Sequence, residues 1–161
     1  MFDQFLRWLE ATSPAVAISE SSWLFPGIEC IHVLAIAMVV GSIAMADLRL
    51  LDINLRDRPA GELLAEVLPW TWISFAVAVC SGALLFSSNA SHYWRTVPFR
   101  AKMLLIALAG LNMALFHATA YRSIAVWGLR PRSPPRAKFA GGISLALWIG
   151  VVALGRWIGF V

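Results

Sequence analysis

The chain has 161 residues, of which 60% are hydrophobic and 14% charged, with a formal net charge of +4. A soluble domain carries about 25% charged residues, so this chain has too little polar surface to cover itself in water. Its mean hydropathy of +0.73 points the same way and indicates an integral membrane protein.

The first residues do not read as a cleavable signal peptide. Asp3, Arg7 and Glu10 interleave with Phe2, Phe5, Leu6, Trp8 and Leu9 where a basic head and an unbroken apolar core would be needed. That spacing instead predicts a short amphipathic helix over residues 2–11, lying at headgroup level with its apolar stripe toward the lipid.

Four apolar runs follow, over 25–46, 68–87, 99–120 and 139–161. Each is close to the ~20 residues that cross ~30 Å of hydrocarbon. Pro26, Pro69 and Pro98 are expected at first helical turns, where a missing N–H costs little. Asp47 and Arg49 are expected to stop the first run. The segment with Arg130, Pro131, Arg132, Pro134, Pro135 and Arg136 cannot continue a helix. The expected fold is therefore all-α: a four-helix transmembrane bundle behind an interfacial helix, in one domain over 1–161. No linker, repeat or low-complexity tract divides it.

The basic residues give an orientation. The loops after the first and third runs hold eight: Arg49, Arg56, Arg58, Arg122, Arg130, Arg132, Arg136 and Lys138. The opposite side holds five: Arg7, Arg95, Arg100, Lys102 and Arg156. An excess of basic residues marks the cytoplasmic side, so both termini are expected outside, in the periplasm of a bacterial inner membrane. Trp23, Trp94 and Trp157 then fall at outer ends and Trp70, Trp72 and Trp127 at inner ends, as an aromatic belt requires. Gly41, Gly82, Gly110, Gly141, Gly142, Gly150 and Gly155 lie within runs, where small residues let helices approach.

All nine acidic residues lie at or before Glu66, so the last three runs hold no carboxylate. A proton relay built from buried acids, paired-carboxylate hydrolysis and a Ser-His-Asp triad all lack a constellation there. There is no glycine-rich phosphate loop, and the basic residues are interfacial, so no nucleic-acid partner is expected. Cys30 and Cys80 stand in apolar runs and form no CxxC pair.

The histidines are the informative polar residues. His32 lies in the first run, one turn after Glu29 and two residues after Cys30. His117 lies in the third run, with Gly110 and Met113 on its face. His92 sits beside Tyr93 and Trp94 in an outer loop. An ionisable group within a span is costly, and neutral imidazole is a haem or metal ligand as well as a helix-joining hydrogen-bond partner. At ~1.5 Å per residue, His32 lies roughly 9–13 Å and His117 roughly 22–27 Å below the outer edge, so one iron cannot easily take both. The remaining arrangements are His32 with His92, two separate centres, or a copper or zinc site from Glu29, Cys30, His32 and His92. Arg156 is at the depth of Glu29 and could pair with it or meet a haem propionate; Asp47 and Arg122 could pair at the inner face. The plainer alternative for each is snorkelling to the headgroups.

Phe25-Pro26, Glu29, His32, Gly41-Ser42 and Asp47-Leu48-Arg49-Leu50-Leu51 resemble a family of small, uncharacterised bacterial four-span inner-membrane proteins. The resemblance continues through Lys102-Met103-Leu104-Leu105, Ala109-Gly110-Leu111-Asn112 and Phe116-His117. It ends with Ser144-Leu145, Trp148 and Gly155-Arg156-Trp157-Ile158. It covers most of the chain after the N-terminal helix and implies no activity. A looser, architectural similarity is to the membrane domains of b-type cytochromes and copper-resistance proteins.

The leading expectation is a redox-active membrane subunit binding haem b, with His32, His117, Gly110 and Arg156 as candidate cofactor residues. It would pass electrons between a periplasmic or membrane partner protein and the membrane pool. A copper-handling protein and a non-catalytic anchor subunit are the alternatives, and a homo-oligomer is compatible with all three.

Overall fold

The computed structural model describes residues 1–53, 57–130 and 132–160. The chain is all-α. Two short helices, α1 (Phe2–Glu10) and α2 (Ser13–Glu20), precede four long apolar ones. These are α3 (Leu24–Leu50), α4 (Ala60–Ser88), α6 (Val97–Ala118) and α8 (Pro135–Trp157). A short helix, α5 (Ala90–Arg95), joins α4 to α6. A 3-10 turn at Tyr121–Ser123 and α7 (Ile124–Trp127) follow α6, and a second 3-10 turn, Ile158–Phe160, follows α8. The four long helices are each long and apolar enough to cross a membrane.

Several boundaries differ from the sequence expectation. Helix α3 does not stop at Asp47 but continues to Leu50, and α4 begins at Ala60, well before the apolar run. Pro69 therefore lies inside α4 rather than in its first turn. The proline removes one backbone hydrogen bond, and Leu64 and Val67 are buried in the turns just before it. Helix α2 follows the expected N-terminal helix as a separate element. Ser21 then ends that region, its Oγ accepting the Leu24 amide at 3.1 Å as α3 begins.

Helix α1 is docked as well as amphipathic. Leu6 is buried, Phe2 meets Trp94 at a ring-centroid distance of 4.9 Å, and Glu10 Oε1 accepts the Ser91 amide at 2.7 Å. Phe5 and Trp8 remain exposed, 52% and 63%, as a headgroup-level helix would leave them.

The long helices pack in the order α4–α3–α8–α6. Helices α4 and α6 touch only toward their ends. Phe86 stacks on Phe99 at 5.2 Å at one end, while Leu64 joins Phe116 and Trp127 in an apolar cluster at the other. Between those contacts the two helices do not lie against each other. Glycine packing is equally selective. A Cβ at Gly141 would stand 3.1 Å from Leu50 Cβ and 3.2 Å from the Asp47 carbonyl, so α8 closes on α3 there. Gly41 and Gly110, by contrast, face open space.

Most of the span surface is apolar and uncovered; buried residues make up between 11% and 28% of the most apolar window of each span. Water would not tolerate so large an exposed apolar surface, and lipid solvates it without cost.

Candidate functional site

Polar side chains gather inside the bundle at two levels along α3. His32 marks one and Asp47 the other, about 22 Å apart at the helical rise.

At the first level His32 Nδ1 lies 2.9 Å from Ser81 Oγ on α4. Ser81 Oγ is also 2.7 Å from the Val77 carbonyl and donates to it, so it accepts from the imidazole. The His32 proton is thus on Nδ1, and Nε2 keeps its lone pair. The ring lies over Gly82, where a Cβ would come within 2.8 Å of His32 Cε1; the glycine is the space the imidazole occupies. Lys102 and Glu29 act on this imidazole electrostatically. Lys102 runs along α8 at Gly155, where a Cβ would be 3.6 Å from its Nζ. Outside the spans, burial and then the Glu29 charge push the Tyr93 phenol above its usual value.

The other residues proposed for this end do not converge. His92 is exposed and meets Tyr93 edge-on at 5.9 Å. Cys30 and Cys80 are exposed free thiols. Among the described residues no three His, Cys, Asp or Glu side chains come together as a metal-holding group, so Glu29, Cys30, His32 and His92 do not surround one point. Arg156 is exposed and, among the described residues, makes no ion pair with Glu29.

At the second level the last turn of α3 and the neighbouring helices enclose a cavity of about 120 Å³. Asp47, Thr71, Asn112, His117 and Ser144 supply its polar edge, and Trp72, Phe75 and Trp148 much of its apolar wall. His117 Nδ1 lies 3.0 Å from the Met113 carbonyl, which can only accept, so here too the proton is on Nδ1 and Nε2 carries the lone pair. Asn112 Nδ2 donates to the Ala140 carbonyl at 2.9 Å and joins α6 to α8. Thr71 Oγ1 is 2.8 Å from Ser42 Oγ and joins α4 to α3.

Asp47 was expected at the inner face, where Arg122 could pair with it. It is instead 5% exposed, lines the cavity, and has a buried Oδ2 with no hydrogen-bond partner, while Arg122 is exposed. Ser144 on α8 is placed to serve the carboxyl. The available signal was angular: positions 43, 46, 47 and 50 share one helical face, and three of the four are apolar.

Just beyond this cavity Arg49 is 1% exposed and wholly engaged. Its Nε donates to the Arg58 carbonyl at 2.8 Å, Nη2 to the Arg130 carbonyl at 3.2 Å, and Nη1 to Asp52 Oδ1 at 3.2 Å. Asp52 Oδ1 also accepts the Ser133 amide at 3.1 Å, and Oδ2 pairs with Lys138 Nζ at 2.7 Å. Asp52 takes a left-handed backbone conformation, φ 56°, that turns its carboxylate under α3. One buried guanidinium thus ties both connecting segments at this end to the bundle. The positive charge counted for orientation is structural as well.

Together these features define a multi-pass α-helical membrane protein with polar side chains held inside its bundle. Residues 23–161 match the model described as Family of unknown function (DUF6644), and the chain belongs to that family. No curated protein and no solved structure matches it.

Proposed function

We propose that this protein is a redox-active subunit of a bacterial inner membrane, with both termini in the periplasm, passing electrons between a partner protein and the membrane pool. The observation that carries the reading is the shared state of the two intramembrane histidines. In each, Nδ1–H is given to a fixed acceptor and Nε2 presents a lone pair. An imidazole anchored through one nitrogen is the form that binds a metal through the other.

The two positions suit different occupants. An engineered cavity of ~150 Å³ in another protein holds one benzene. The 120 Å³ at His117 therefore accommodates a single six-membered ring and not a porphyrin. Haem b is accordingly proposed at His32 alone. There the donor chemistry fits: a neutral imidazole oriented by Ser81, with Lys102 as a cation for a propionate. Bound there, the haem would supply one-electron chemistry, and the chain would supply His32 as a nitrogen ligand and Lys102 as a nearby charge.

The absorption spectrum of purified protein tests this. A Soret band that is lost in His32→Ala and kept in His117→Ala is the expected result. A colourless, iron-free preparation overturns it. Copper found without iron would support the metal-handling alternative, although no cluster of three ligands favours that reading among the described residues.

A further inference from the structure

The cavity at Asp47 and His117 has three properties that together specify a ligand. The first is unmet hydrogen-bonding capacity. Asp47 is 95% buried, and its Oδ2 faces the cavity without a partner. His117 Nε2 on the same cavity is an acceptor, because the Met113 carbonyl holds the proton on Nδ1. A carboxyl oxygen without a partner and Nε2 can both accept, so a molecule that donates at two points meets both. A buried group left in this state costs stability, and such a group in a native protein calls for an explanation.

The second property is size and wall chemistry. About 120 Å³ walled by Trp72, Phe75 and Trp148 takes one planar ring. The third is the way in. The cavity lies where α4 and α6 part between the Phe86–Phe99 stack and the Leu64–Phe116 cluster. Its rim there includes Trp72, 49% exposed, and the exposed Gly110. Trp72 and Gly110 both lie within helices long and apolar enough to cross a membrane, so the gap opens on a lipid-facing side. A ligand arriving through it must be lipid-soluble.

We infer that this cavity binds the headgroup of a membrane-dissolved hydroquinone, entering sideways between α4 and α6 and donating its hydroxyls to Asp47 and His117. A single ring with a hydroxyl at each end meets all three requirements, and an alkyl tail would remain in the lipid outside the gap. The inference goes beyond the haem reading and does not depend on it, because no residue of the His32 level takes part.

The probe is 1,4-hydroquinone, titrated under reducing conditions into the full chain in lipid nanodiscs and followed by tryptophan quenching. Saturable quenching is expected in the native protein and in His32→Ala. Asp47→Asn and His117→Ala should each weaken binding about ten-fold or more, the loss expected for a hydrogen bond to a charged or strongly accepting group. Gly110→Leu should abolish saturation by filling the gap while leaving both polar groups intact; a Cβ at Gly110 meets nothing within 4 Å, so this variant has room to fold. p-Xylene, with methyls in place of the two hydroxyls, should compete only weakly with hydroquinone. The inference is overturned by non-saturating quenching in the native protein. It is equally overturned if Asp47→Asn and Gly110→Leu bind as the native protein does, or if p-xylene competes as strongly as hydroquinone binds. A missing Soret band with saturable quinol binding would remove the haem reading and leave this one standing.

Discussion

Asp47 and Arg49 stand two residues apart in the final turns of α3 and point to opposite sides of the helix, so neither can serve as the other's partner. Arg49 spends its guanidinium on two backbone carbonyls and the Asp52 carboxylate, whereas Asp47 keeps an unmatched oxygen inside the bundle. One residue of this pair holds the end of the bundle together. The other is a strained element that the fold carries at a cost.

Replacing Arg49 should therefore be severe. Arg49→Met takes the guanidinium from the buried Asp52 carboxylate and strips donors from the Arg58 and Arg130 carbonyls. The expected loss is ~3 kcal/mol or more, the range for breaking a buried pair. Arg49→Lys should recover only part of it, because one ammonium cannot reach carbonyls on both segments in the planar fork geometry. Thermal unfolding in detergent reads both variants, and an Arg49→Met protein as stable as the native one would refute the clamp.

Replacing Asp47 should do the reverse. Asp47→Leu removes a buried carboxyl with one unmatched oxygen from a mostly apolar cavity and should raise stability by roughly 1–3 kcal/mol. The same unfolding assay checks it. A lower melting temperature would mean that the carboxyl holds the helices together, and its proposed role as a ligand acceptor would lose its basis. Gain of stability with loss of function is the usual signature of a binding residue.

The Asp52 carboxylate also predicts a pH dependence. Burial acts to raise the Asp52 carboxyl, but the Lys138 ammonium, the Ser133 amide and the Ser133 hydroxyl outweigh it and hold the group below its ordinary value. A lowered carboxylate contributes stability that is complete above the unfolded value and is lost as pH falls through the folded one. Melting temperature should fall on acidification below the ordinary carboxylate range, and Asp52→Asn should be less stable at neutral pH with a shallower acid slope. A native-like slope in Asp52→Asn would assign the acid sensitivity to another group.

Among the glycines, position decides the sign of a substitution. Gly41→Ala meets nothing within 4 Å and should stabilise slightly, by up to ~1 kcal/mol, through the better helix propensity of alanine. Gly141→Ala should destabilise, because the new methyl would press on Leu50 and on the α3 backbone at Asp47, which cannot yield locally. Gly82→Ala should displace the His32 ring without touching the His117 cavity. Finding Gly41→Ala and Gly141→Ala equal in stability would show that α3 and α8 do not close at Gly141.

The membrane class, the four long helices and the amphipathic α1 were all legible in the sequence. Each follows from a property that local composition carries: the length of an apolar run, the breakers at its ends, or the spacing of Phe2, Leu6 and Leu9 on one helical face. The wide separation of His32 and His117 along the bundle was legible for the same reason, since helical rise converts residue number into depth. Pro69 and Asp47 were misread because both look like terminators when taken alone. A neighbouring helix can support a proline within a span, and a carboxylate can be carried inward when the helix continues past it.

Tertiary structure alone decided which polar groups meet. Charge counting treated Arg49 as one of eight basic loop residues, yet the packing of two connecting segments over the end of α3 made it a buried clamp. Likewise, only the order α4–α3–α8–α6, with α4 and α6 parted in the middle, brings Asp47 and His117 to one cavity facing the lipid. The physical reason is common to both. Composition sets how much of a helix can enter the membrane, but the partner of a buried charge is set by which helices lie beside it.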